Sequence, residues 1–403
     1  MNILSSIIQM KKIHLLILTP ILLMQISCKE NGCDPPVGPN MQFQVAETYA
    51  NVAFATYEDS WITAKNLKTA ASDFVANPTQ GGLKATRAAY LSARTPYVQS
   101  EAFRFYAGPI DDQRGLEGLL NSWPLDESYI DYVIGNTTAG IINDAVTFPT
   151  INAAVIEENN QLPGEKSISC GYHAIEFLLW GQDMAVDGPG DRPYTDYVVG
   201  TGSTAANQAR RAAYLLACID LLIDNLNTLK NEWKPGGQNY RATFIATPTG
   251  SISNYLTGAY RYADGELPVE RMLVALDSED GDATRQEHEQ SCFSDQTHND
   301  IILGQKGISN VYLGRYVRVD GSVVEGRSLS DLVSAVDPTL NAAVLSKIYD
   351  ADIKVNAIHG PFDNEIVSTN ISGRIRVQNA IDALHEEAAQ YKIAGAQLGM
   401  IIN

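Results

Sequence analysis

Residues 171–181 read GYHAIEFLLWG, a short apolar run that carries one histidine and one carboxylate three positions apart. In a helix, His173 and Glu176 stand on the same face, about one turn apart. One helix can present a nitrogen and an oxygen ligand to a single metal ion with this spacing, as in the Glu-x-x-His sites of helical bundles. The apolar neighbours would bury the pair, and a buried histidine and glutamate require partners. The stretch therefore indicates a buried polar site, although its spacing alone is a weak signal in so acidic a chain.

The composition is that of an ordinary globular protein. The 403-residue chain is 45% hydrophobic and 19% charged, and its length suits two domains or one large one. The formal net charge of −18 argues against nucleic acid or an anionic membrane surface as a partner. It suits cations or a cationic ligand, although many soluble proteins are simply acidic.

The N-terminus has the pattern of a targeting segment. Lysines at positions 11 and 12 precede an apolar stretch, residues 13–26, that is too short for a membrane-spanning helix. The stretch ends at Ser27-Cys28, a small residue before a cysteine, which resembles a bacterial lipoprotein signal. We therefore expect residues 1–27 to be a signal peptide and Cys28 to become the lipidated first residue of the mature chain.

Details of this segment leave an alternative open. Gln25 stands where a branched apolar residue is usual, so a plain secretory signal cut near the same place is the alternative. Met10, directly before the lysines, is a more natural start than Met1. Under either interpretation the protein is exported, to the periplasm or the cell surface, and as a lipoprotein it would be anchored to the outer membrane. Residues 28–40 then form a Pro-, Gly- and Asn-containing tether.

Helical periodicity runs through the rest of the chain. Alternation of strand length persists nowhere for long, so the predicted fold class is all-α. The Pro-Gly-Gly break at residues 235–237 divides the chain into two antiparallel four-helix-bundle-like domains, residues 41–234 and 239–403, whose similar size suggests a duplication. The predicted helices cover residues 41–76, 82–106 with a kink at Pro96, 150–161, 169–181, 203–233, 251–263, 268–276, 294–319, 337–357 and 373–398.

A second histidine-bearing segment, residues 291–298, reads SCFSDQTH. Ser294 suits the N-cap of a helix, and Asp295 in the first turn suits the helix dipole. His298 then lies on the same face as Asp295, one turn away. Two helices that each offer a carboxylate and an imidazole make a four-ligand site for a transition metal. We interpret the neighbouring Glu-His-Glu at 287–289 as a solvated charged turn.

Glu101 and Arg104 lie on one predicted helical face among aromatic residues. One interpretation is an intrahelical ion pair, worth about a few tenths of a kcal/mol. The other is a third carboxylate directed at the same centre as His173. The residues themselves leave both interpretations open.

Four cysteines besides Cys28 would lie in an oxidising compartment after export. Cys170 directly precedes Gly171, and Cys292 lies within the second histidine-bearing segment. A Cys170–Cys292 disulfide would tie the two candidate segments together. It is a hypothesis only, because four cysteines allow three complete pairings and can also stay free.

Motifs of several other chemistries are absent from the sequence. It contains no Gly-x-Ser-x-Gly, no His-Glu-x-x-His and no Walker-type loop, so serine hydrolases, zincins and phosphate-loop proteins lack support. It also contains no Cys-x-x-Cys, either for redox exchange or for covalent haem attachment.

Three separated segments resemble the imelysin family. Residues 171–176 (GYHAIE) match its Gly-x-His-x-x-Glu signature, residues 100–105 (SEAFRF) resemble its second helix, and residues 291–298 resemble the branch called iron-regulated protein A. The resemblance extends from Gln44 to the C-terminus. It implies two helical-bundle domains with the His-x-x-Glu site in the groove between them, in an exported and often lipid-anchored protein. The family is classed as metallopeptidases, and relatives take part in iron uptake or bind periplasmic metal.

The residues and the resemblance together lead to a metal-binding hypothesis, with iron as the favoured metal and zinc as the alternative. His173 would be a nitrogen ligand, and Glu176 and Glu101 would be oxygen ligands. His298 and Asp295 would be either ligands from the second domain or groups that orient the first ligands.

Two alternatives from other functional classes stay open. In a metal-dependent peptidase, Glu176 would act as the general base that activates a metal-bound water. In a non-catalytic surface protein that binds polysaccharide or protein, His173 and Glu176 would be a buried hydrogen-bonded pair without metal. The expected partners are a metal ion, the membrane through the N-terminal lipid, and iron-uptake or redox proteins, with nucleic acid excluded by the acidic charge.

Overall fold

Helices make up nearly all the regular structure. A computed structural model describes residues 39–185, 188–278 and 281–402, and the signal segment, Cys28 and Cys33 lie outside these residues. Within them the only sheet is a two-stranded hairpin, which confirms the predicted all-α class. The elements are α1 Pro39–Ala76, α2 Gln80–Gln99, α3 Leu116–Leu120, α4 Glu127–Ile130, α5 Gly140–Asn143, α6 Ala153–Glu158, α7 Gly171–Trp180, α8 Gln208–Trp233, α9 Tyr240–Ala246, α10 Pro248–Arg261, α11 Val274–Leu276, α12 Asp282–Arg285, α13 Thr297–Leu313, β1 Arg315–Val317, β2 Val323–Glu325, α14 Leu329–Val336, α15 Pro338–Val355, α16 Phe362–Ile366 and α17 Ile371–Gln397.

The core of the first half lies between α1, α2 and α8. α1 packs against both other helices, and small side chains on it, among them Ala46, Ala53 and Ala64, are fully buried. Small residues at helical spacing let neighbouring helices approach closely and still fill the interface. α7 packs against α2 and α8, and all ten of its residues are buried. The predicted burial of the motif helix is therefore correct.

The helix predicted at residues 82–106 is shorter than expected. α2 ends at Gln99 and is followed by one 3₁₀ turn, Ser100–Phe103. Phe105 then takes a left-handed conformation with φ of 69°, and its backbone N–H donates a hydrogen bond to Asp111 Oδ2. The carboxylate takes the place of an intrahelical acceptor, which the spacing of apolar residues does not reveal.

Residues 251–263 and 268–276, predicted as two helices, belong to one continuous helical run. α10 passes directly into a π-helical segment, Tyr262–Leu273, which continues into α11. Pro268 lies inside the π-helical segment. A proline lacks an N–H and clashes with the preceding turn of a straight α-helix. The wider π turn accommodates the proline without ending the helix.

The helix predicted at residues 294–319 was extended too far in both directions. α13 ends at Leu313, where Gly314 with φ of 57° makes a left-handed C-cap. The chain then forms the β1–β2 hairpin, in which Tyr316 faces Val324. The Tyr316 hydroxyl donates a hydrogen bond to Asp59 on α1 at 3.0 Å. The hairpin is thus stabilised by a contact with α1, and local periodicity gives no sign of that contact.

α1 contacts helices from both halves of the chain. Besides α2 and α8 it packs against α9, α10 and β2, and all described residues belong to one compact unit. The predicted break near residues 234–238 does connect two helices, α8 and α9. The division into two duplicated domains remains a prediction.

Candidate functional site

Gly171 begins α7 in a conformation that only glycine adopts easily. Its φ is 87°, and a Cβ atom at this position would lie 2.6 Å from the backbone oxygen of Leu120 at the end of α3. Glycine alone combines a positive φ with such a close approach. The glycine of the motif therefore lets α7 begin directly against α3.

His173 and Glu176 form a hydrogen-bonded pair in the interior. The distance between His173 Nδ1 and Glu176 Oε2 is 2.9 Å, and both side chains are fully buried. Burial holds the pKa of His173 well below its usual range, so the imidazole is neutral at pH 7. Its Nε2 atom has no hydrogen-bond partner among the described residues, and the Trp123 ring lies 5.1 Å from the imidazole.

Glu176 also joins the motif helix to the second histidine-bearing segment. Its Oε1 atom accepts hydrogen bonds from the backbone N–H of Ser294 at 3.0 Å and from the Ser294 hydroxyl at 2.5 Å. Its Oε2 atom accepts a further hydrogen bond from the Tyr90 hydroxyl at 3.3 Å. Burial raises the pKa of Glu176 to about 7, against the opposing effects of Arg94 and these hydrogen bonds.

The predicted roles of Ser294 and Asp295 at a helix start are wrong. α13 begins at Thr297 with Gln296 as its N-cap residue, so Ser294 lies outside the helix and binds Glu176. Asp295 takes a left-handed conformation with φ of 56° and is buried. The local pattern predicts a helical turn at Ser294. Its backbone N–H instead donates to the carboxylate of Glu176, which lies 118 positions away in the chain.

Asp295 belongs to a cluster of three buried carboxyl groups. Asp183, Asp295 and Asp363 each place one carboxylate oxygen within 4.8 Å of an oxygen of the other two. Burial, together with the neighbouring carboxyls, raises the pKa of Asp295 to about 8. Burial also raises the pKa of Asp183, to about 6. We call Asp183, Asp295 and Asp363 the carboxylate cluster.

Glu289 lies beside the carboxylate cluster. Its side chain is 1% exposed, and neither carboxylate oxygen makes a hydrogen bond of normal geometry with a described residue. Burial and the charges of Asp363, Asp295 and Asp183 raise its pKa well above the usual range, while Thr297 is close enough to lower it. The interpretation of residues 287–289 as a solvated turn is therefore wrong for Glu289.

Glu101 is not part of the carboxylate cluster. Its Oε2 atom accepts a hydrogen bond from Arg104 Nη1 at 2.9 Å, and its Oε1 atom lies 3.5 Å from Asn121 Nδ2. Arg104 also forms ion pairs with Asp111 and Glu117. The ion-pair interpretation of Glu101 thus describes its contacts in the structure, and its role as a third ligand at the His173 centre remains a prediction.

His298 also lies outside the carboxylate cluster. It is half-buried, and its ring packs so tightly against Gly360 that a Cβ there would lie 2.3 Å from the ring. The predicted helical Asp-x-x-His pair is not formed because Asp295 precedes α13. The five predicted ligands therefore do not form one set, and Asp295 alone among them belongs to the cluster.

The Cys170–Cys292 disulfide is absent. Both residues and Cys218 are buried free thiols. The Cys170 thiol donates to the backbone oxygen of Leu119, and the Cys218 thiol donates to that of Ser169, both at 3.5 Å. The sulfur of Cys170 thus lies against α3, whereas the 291–298 segment meets the motif helix through Ser294 and Phe293.

A buried ion pair holds the second segment beside α2. Arg94 donates hydrogen bonds to Asp300 Oδ2 from Nε at 2.9 Å and from Nη2 at 2.7 Å, and to Asn121 Oδ1 at 2.9 Å. The Ser291 hydroxyl also donates to Asp300, at 2.6 Å. This network links α2, α3 and α13, and no motif in the sequence predicted it.

The other members of the site had weak signals in the sequence. Asp183 lies three residues after α7, directly beyond the motif, and Glu289 precedes the SCFSDQTH segment by two residues. Asp363 follows a Gly-Pro-Phe turn far along the chain and has no local signal. Their proximity depends on how the segments pack, so spacing along the chain could not reveal it.

The described residues fit a cation at the carboxylate cluster and not at the histidine pair. Three carboxylate oxygens within one small space match the coordination preference of hard cations. No other group of three or more histidine, cysteine or acidic side chains comes as close together in the part of the chain that the structure describes. His173 offers a single open nitrogen atom there.

The fold and this site define a helical-bundle protein in which a Gly-x-His-x-x-Glu helix lies next to a buried carboxylate cluster. The Imelysin family model, which is also named Peptidase M75, matches residues 53–391. The chain therefore belongs to the imelysin family, as the three sequence segments indicated.

Crystal structures of other proteins, including the following two, share the fold. One is described as an iron-regulated protein A precursor from Parabacteroides distasonis ATCC 8503, with a TM-score of 0.69 at 18% identity over 89% of this chain and 95% of that chain. The other is an imelysin-like protein from Psychrobacter arcticum 273-4, with a TM-score of 0.63 at 13% identity over 91% and 98% of the two chains. No curated protein sequence matches the chain.

Proposed function

We propose that this protein is an exported imelysin-family protein that binds a metal ion in the carboxylate cluster. The observation that carries the proposal is the packing of Asp183, Asp295 and Asp363 in the interior, with the buried Glu289 carboxyl beside them. Burying several carboxyls together is unfavourable unless protons or a cation neutralise them. A bound cation would favour the ionised form of all of these groups at once.

The donor set bears on the choice of metal. Carboxylate oxygens suit hard cations, whereas zinc sites in proteins usually include imidazole or thiolate ligands. The oxygen-rich cluster therefore favours a hard cation such as Fe(III), Mn(II) or Ca(II) over zinc. Iron remains the favoured metal because of the family resemblance and because one structural relative is described as iron-regulated. A role in iron uptake or handling follows from that choice.

The peptidase alternative has less support in the geometry. It requires a Glu176 carboxylate that is free to take a proton from a metal-bound water. Both oxygens of Glu176 are instead engaged by Ser294, His173 and Tyr90. The alternative of a non-catalytic surface protein also predicts the buried hydrogen-bonded pair of His173 and Glu176. It does not explain why three carboxyl groups are buried together in the cluster.

Metal analysis of the mature chain tests the proposal. The untagged protein from Lys29 onward is expected to hold about one equivalent of metal, or to gain it on titration with Fe(III), Mn(II) or Ca(II), with an increase in melting temperature. Asp183→Asn is expected to abolish both effects. Glu387→Gln is the matched control, since Glu387 is a buried acid outside the cluster whose carboxylate is hydrogen-bonded by Gln305 and Tyr391. A parent protein that binds none of these cations would contradict the proposal, and casein digestion by the same sample would instead support the peptidase.

Export and lipid anchoring at Cys28 are part of the same proposal. They rest on the charged, apolar and small-residue pattern that ends at Ser27-Cys28. Labelling of expressing cells with palmitate is expected to mark the parent protein and not Cys28→Ser. Equal labelling of both proteins would contradict a lipid at this cysteine.

A further inference from the structure

The signature pair and the carboxylate cluster are connected through two adjacent residues. Ser294 donates two hydrogen bonds to Glu176 Oε1, one from its backbone N–H and one from its hydroxyl. The next residue is Asp295, whose carboxyl belongs to the cluster. Any movement of Ser294 away from Glu176 would therefore move Asp295 as well.

Glu176 has no remaining capacity to act as a metal ligand. An ionised carboxylate offers about four lone-pair sites. Two on Oε1 are used by Ser294, and those on Oε2 face His173 Nδ1 at 2.9 Å and the Tyr90 hydroxyl at 3.3 Å. Glu176, His173 and Tyr90 are fully buried, so the packed α2 and α7 helices hold this carboxylate in one position.

The turn that presents Asp295 needs such an anchor. Asp295 has a φ of 56°, a conformation that costs a non-glycine residue energy and persists only when surrounding contacts enforce it. The turn is closed by hydrogen bonds from Asp295 N–H to the Cys292 oxygen at 3.3 Å and from Gln296 N–H to the Ser291 oxygen at 3.1 Å. Ser294 fixes this turn to α7 by hydrogen bonds to Glu176, and the ring of Phe293 packs against that of Phe177 on α7, with 5.3 Å between the ring centroids.

α7 also leads to a second member of the cluster. The helix ends at Trp180, and Asp183 follows three residues later. Asp183 Oδ1 accepts a hydrogen bond from the backbone N–H of Ala185 at 2.9 Å, which orients its carboxyl. The segment directly after α7 therefore supplies one cluster carboxyl, and α7 holds another through Ser294.

From this geometry we infer that His173 and Glu176 are positioning residues, which hold Asp295 in the carboxylate cluster through Ser294, and that neither residue is a metal ligand. His173 fixes Glu176, Glu176 fixes Ser294, and Ser294 sets the direction of Asp295. The inference rests on the proposed cation binding and assigns the family signature a role at that site. Outer groups of this kind commonly change metal affinity as much as tenfold to a hundredfold.

The first test measures Mn(II) affinity of the mature chain by calorimetric titration. Ser294→Ala removes one of the two anchoring hydrogen bonds and leaves every cluster carboxyl in place, so it is expected to weaken Mn(II) binding by roughly 10- to 100-fold. Ser251→Ala is the matched control, because it likewise deletes a buried serine hydroxyl that donates a hydrogen bond, in this case to the backbone oxygen of Phe244 outside both the motif and the cluster. Its affinity is expected to stay within about twofold of the parent.

A pair of substitutions at Glu176 separates positioning from folding. Glu176→Gln keeps an amide oxygen that accepts both hydrogen bonds from Ser294, so it is expected to retain more Mn(II) affinity than Glu176→Ala. Melting temperatures measured without metal show whether each variant is folded. Equal loss in the glutamine and alanine variants would contradict a role through Ser294.

Electron paramagnetic resonance of bound Mn(II) decides whether His173 is a ligand. The inference expects no nitrogen coupling from an imidazole in the parent, and an unchanged oxygen-coordinated spectrum in Ser294→Ala at saturating Mn(II). A nitrogen coupling that disappears in His173→Ala would overturn the inference. Parent-like Mn(II) affinity in Ser294→Ala would also overturn it and leave the proposed function intact, whereas a parent that binds no cation would overturn the proposed function itself.

Discussion

Glu387 is a buried acid outside the three sequence motifs, and its burial opposes its ionisation. It lies fully buried on α17 and accepts hydrogen bonds from Gln305 Nε2 at 2.8 Å and from the Tyr391 hydroxyl. Burial raises its pKa to about 8, whereas an exposed glutamate ionises near about 4.3. At pH 7 the folded protein therefore keeps this carboxyl protonated, and the unfolded chain does not.

This difference predicts how Glu387 affects stability against pH. Because the unfolded chain releases the proton first, the contribution of Glu387 to the free energy of unfolding falls as pH rises from about 4 to about 8. The free energy of unfolding of Glu387→Gln, measured by urea denaturation, is therefore expected to increase relative to that of the parent by at least about 1 kcal/mol as the pH rises from about 5 to about 7. The exposed Glu158→Gln serves as the control. A difference between parent and Glu387→Gln that does not change with pH would contradict the burial argument.

At the scale of one element, the position of α7 depends on its first residue. Gly171 combines a φ of 87° with a close approach to the Leu120 oxygen. Gly135 has a nearly equal φ of 84°, but a Cβ there would meet no atom within 4 Å. A substitution at Gly135 therefore tests backbone strain alone, whereas a substitution at Gly171 tests strain together with a steric clash.

Alanine substitutions at these two glycines are expected to differ in thermal unfolding. Gly135→Ala should cost about 1 kcal/mol, the strain of a positive φ alone. Gly171→Ala should cost about 3 kcal/mol or more, because α7 must also move away from α3. Melting temperatures from circular dichroism give the comparison. Equal shifts for the two variants would mean that α7 does not depend on this contact.

Other elements differ from the sequence prediction for local reasons of the same kind. For the long helices, most of the predicted ends lie within a few residues of the observed ends. This agreement is expected, because apolar periodicity and Pro or Gly signals are local. The sequence pattern predicts a helix that starts at Pro268, which lies instead inside a π-helical segment. Gly314 ends α13 and begins a hairpin that was not predicted. At both residues, the local signal is compatible with more than one continuation of the chain, so the pattern did not distinguish them.

At the scale of the whole molecule, the buried ion pair of Arg94 and Asp300 joins the first half of the chain to the second. The two residues are 206 positions apart and their charged atoms approach to 2.7 Å. Removing one partner of a buried pair leaves an uncompensated charge, whereas removing both is far less costly. The pair therefore allows a direct test of how the halves are held together.

Arg94→Met is expected to destabilise the protein by about 3–5 kcal/mol. The double variant Arg94→Met with Asp300→Leu should recover a large part of that loss. Lys347→Met is the matched control: it breaks the exposed pair with Glu386 and should cost less than about 1 kcal/mol. Urea denaturation of the parent, Arg94→Met, Asp300→Leu and the double variant gives the coupling energy of the pair. If Arg94→Met lowers the free energy of unfolding no more than Lys347→Met does, the Arg94–Asp300 pair does not contribute to holding the two halves together.

The amino-acid sequence by itself determined the helical fold, the motif helix and its buried pair. Helical periodicity and the i, i+3 spacing of His173 and Glu176 are properties of neighbouring residues, so they could be predicted without any knowledge of packing. Only the tertiary structure decided the partners of that pair and the carboxylate cluster. Ser294 reaches Glu176 across 118 positions, and Asp183, Asp295 and Asp363 come from three separate segments. Such contacts depend on which helix faces bury against each other, and burial of that kind is a property of the whole chain.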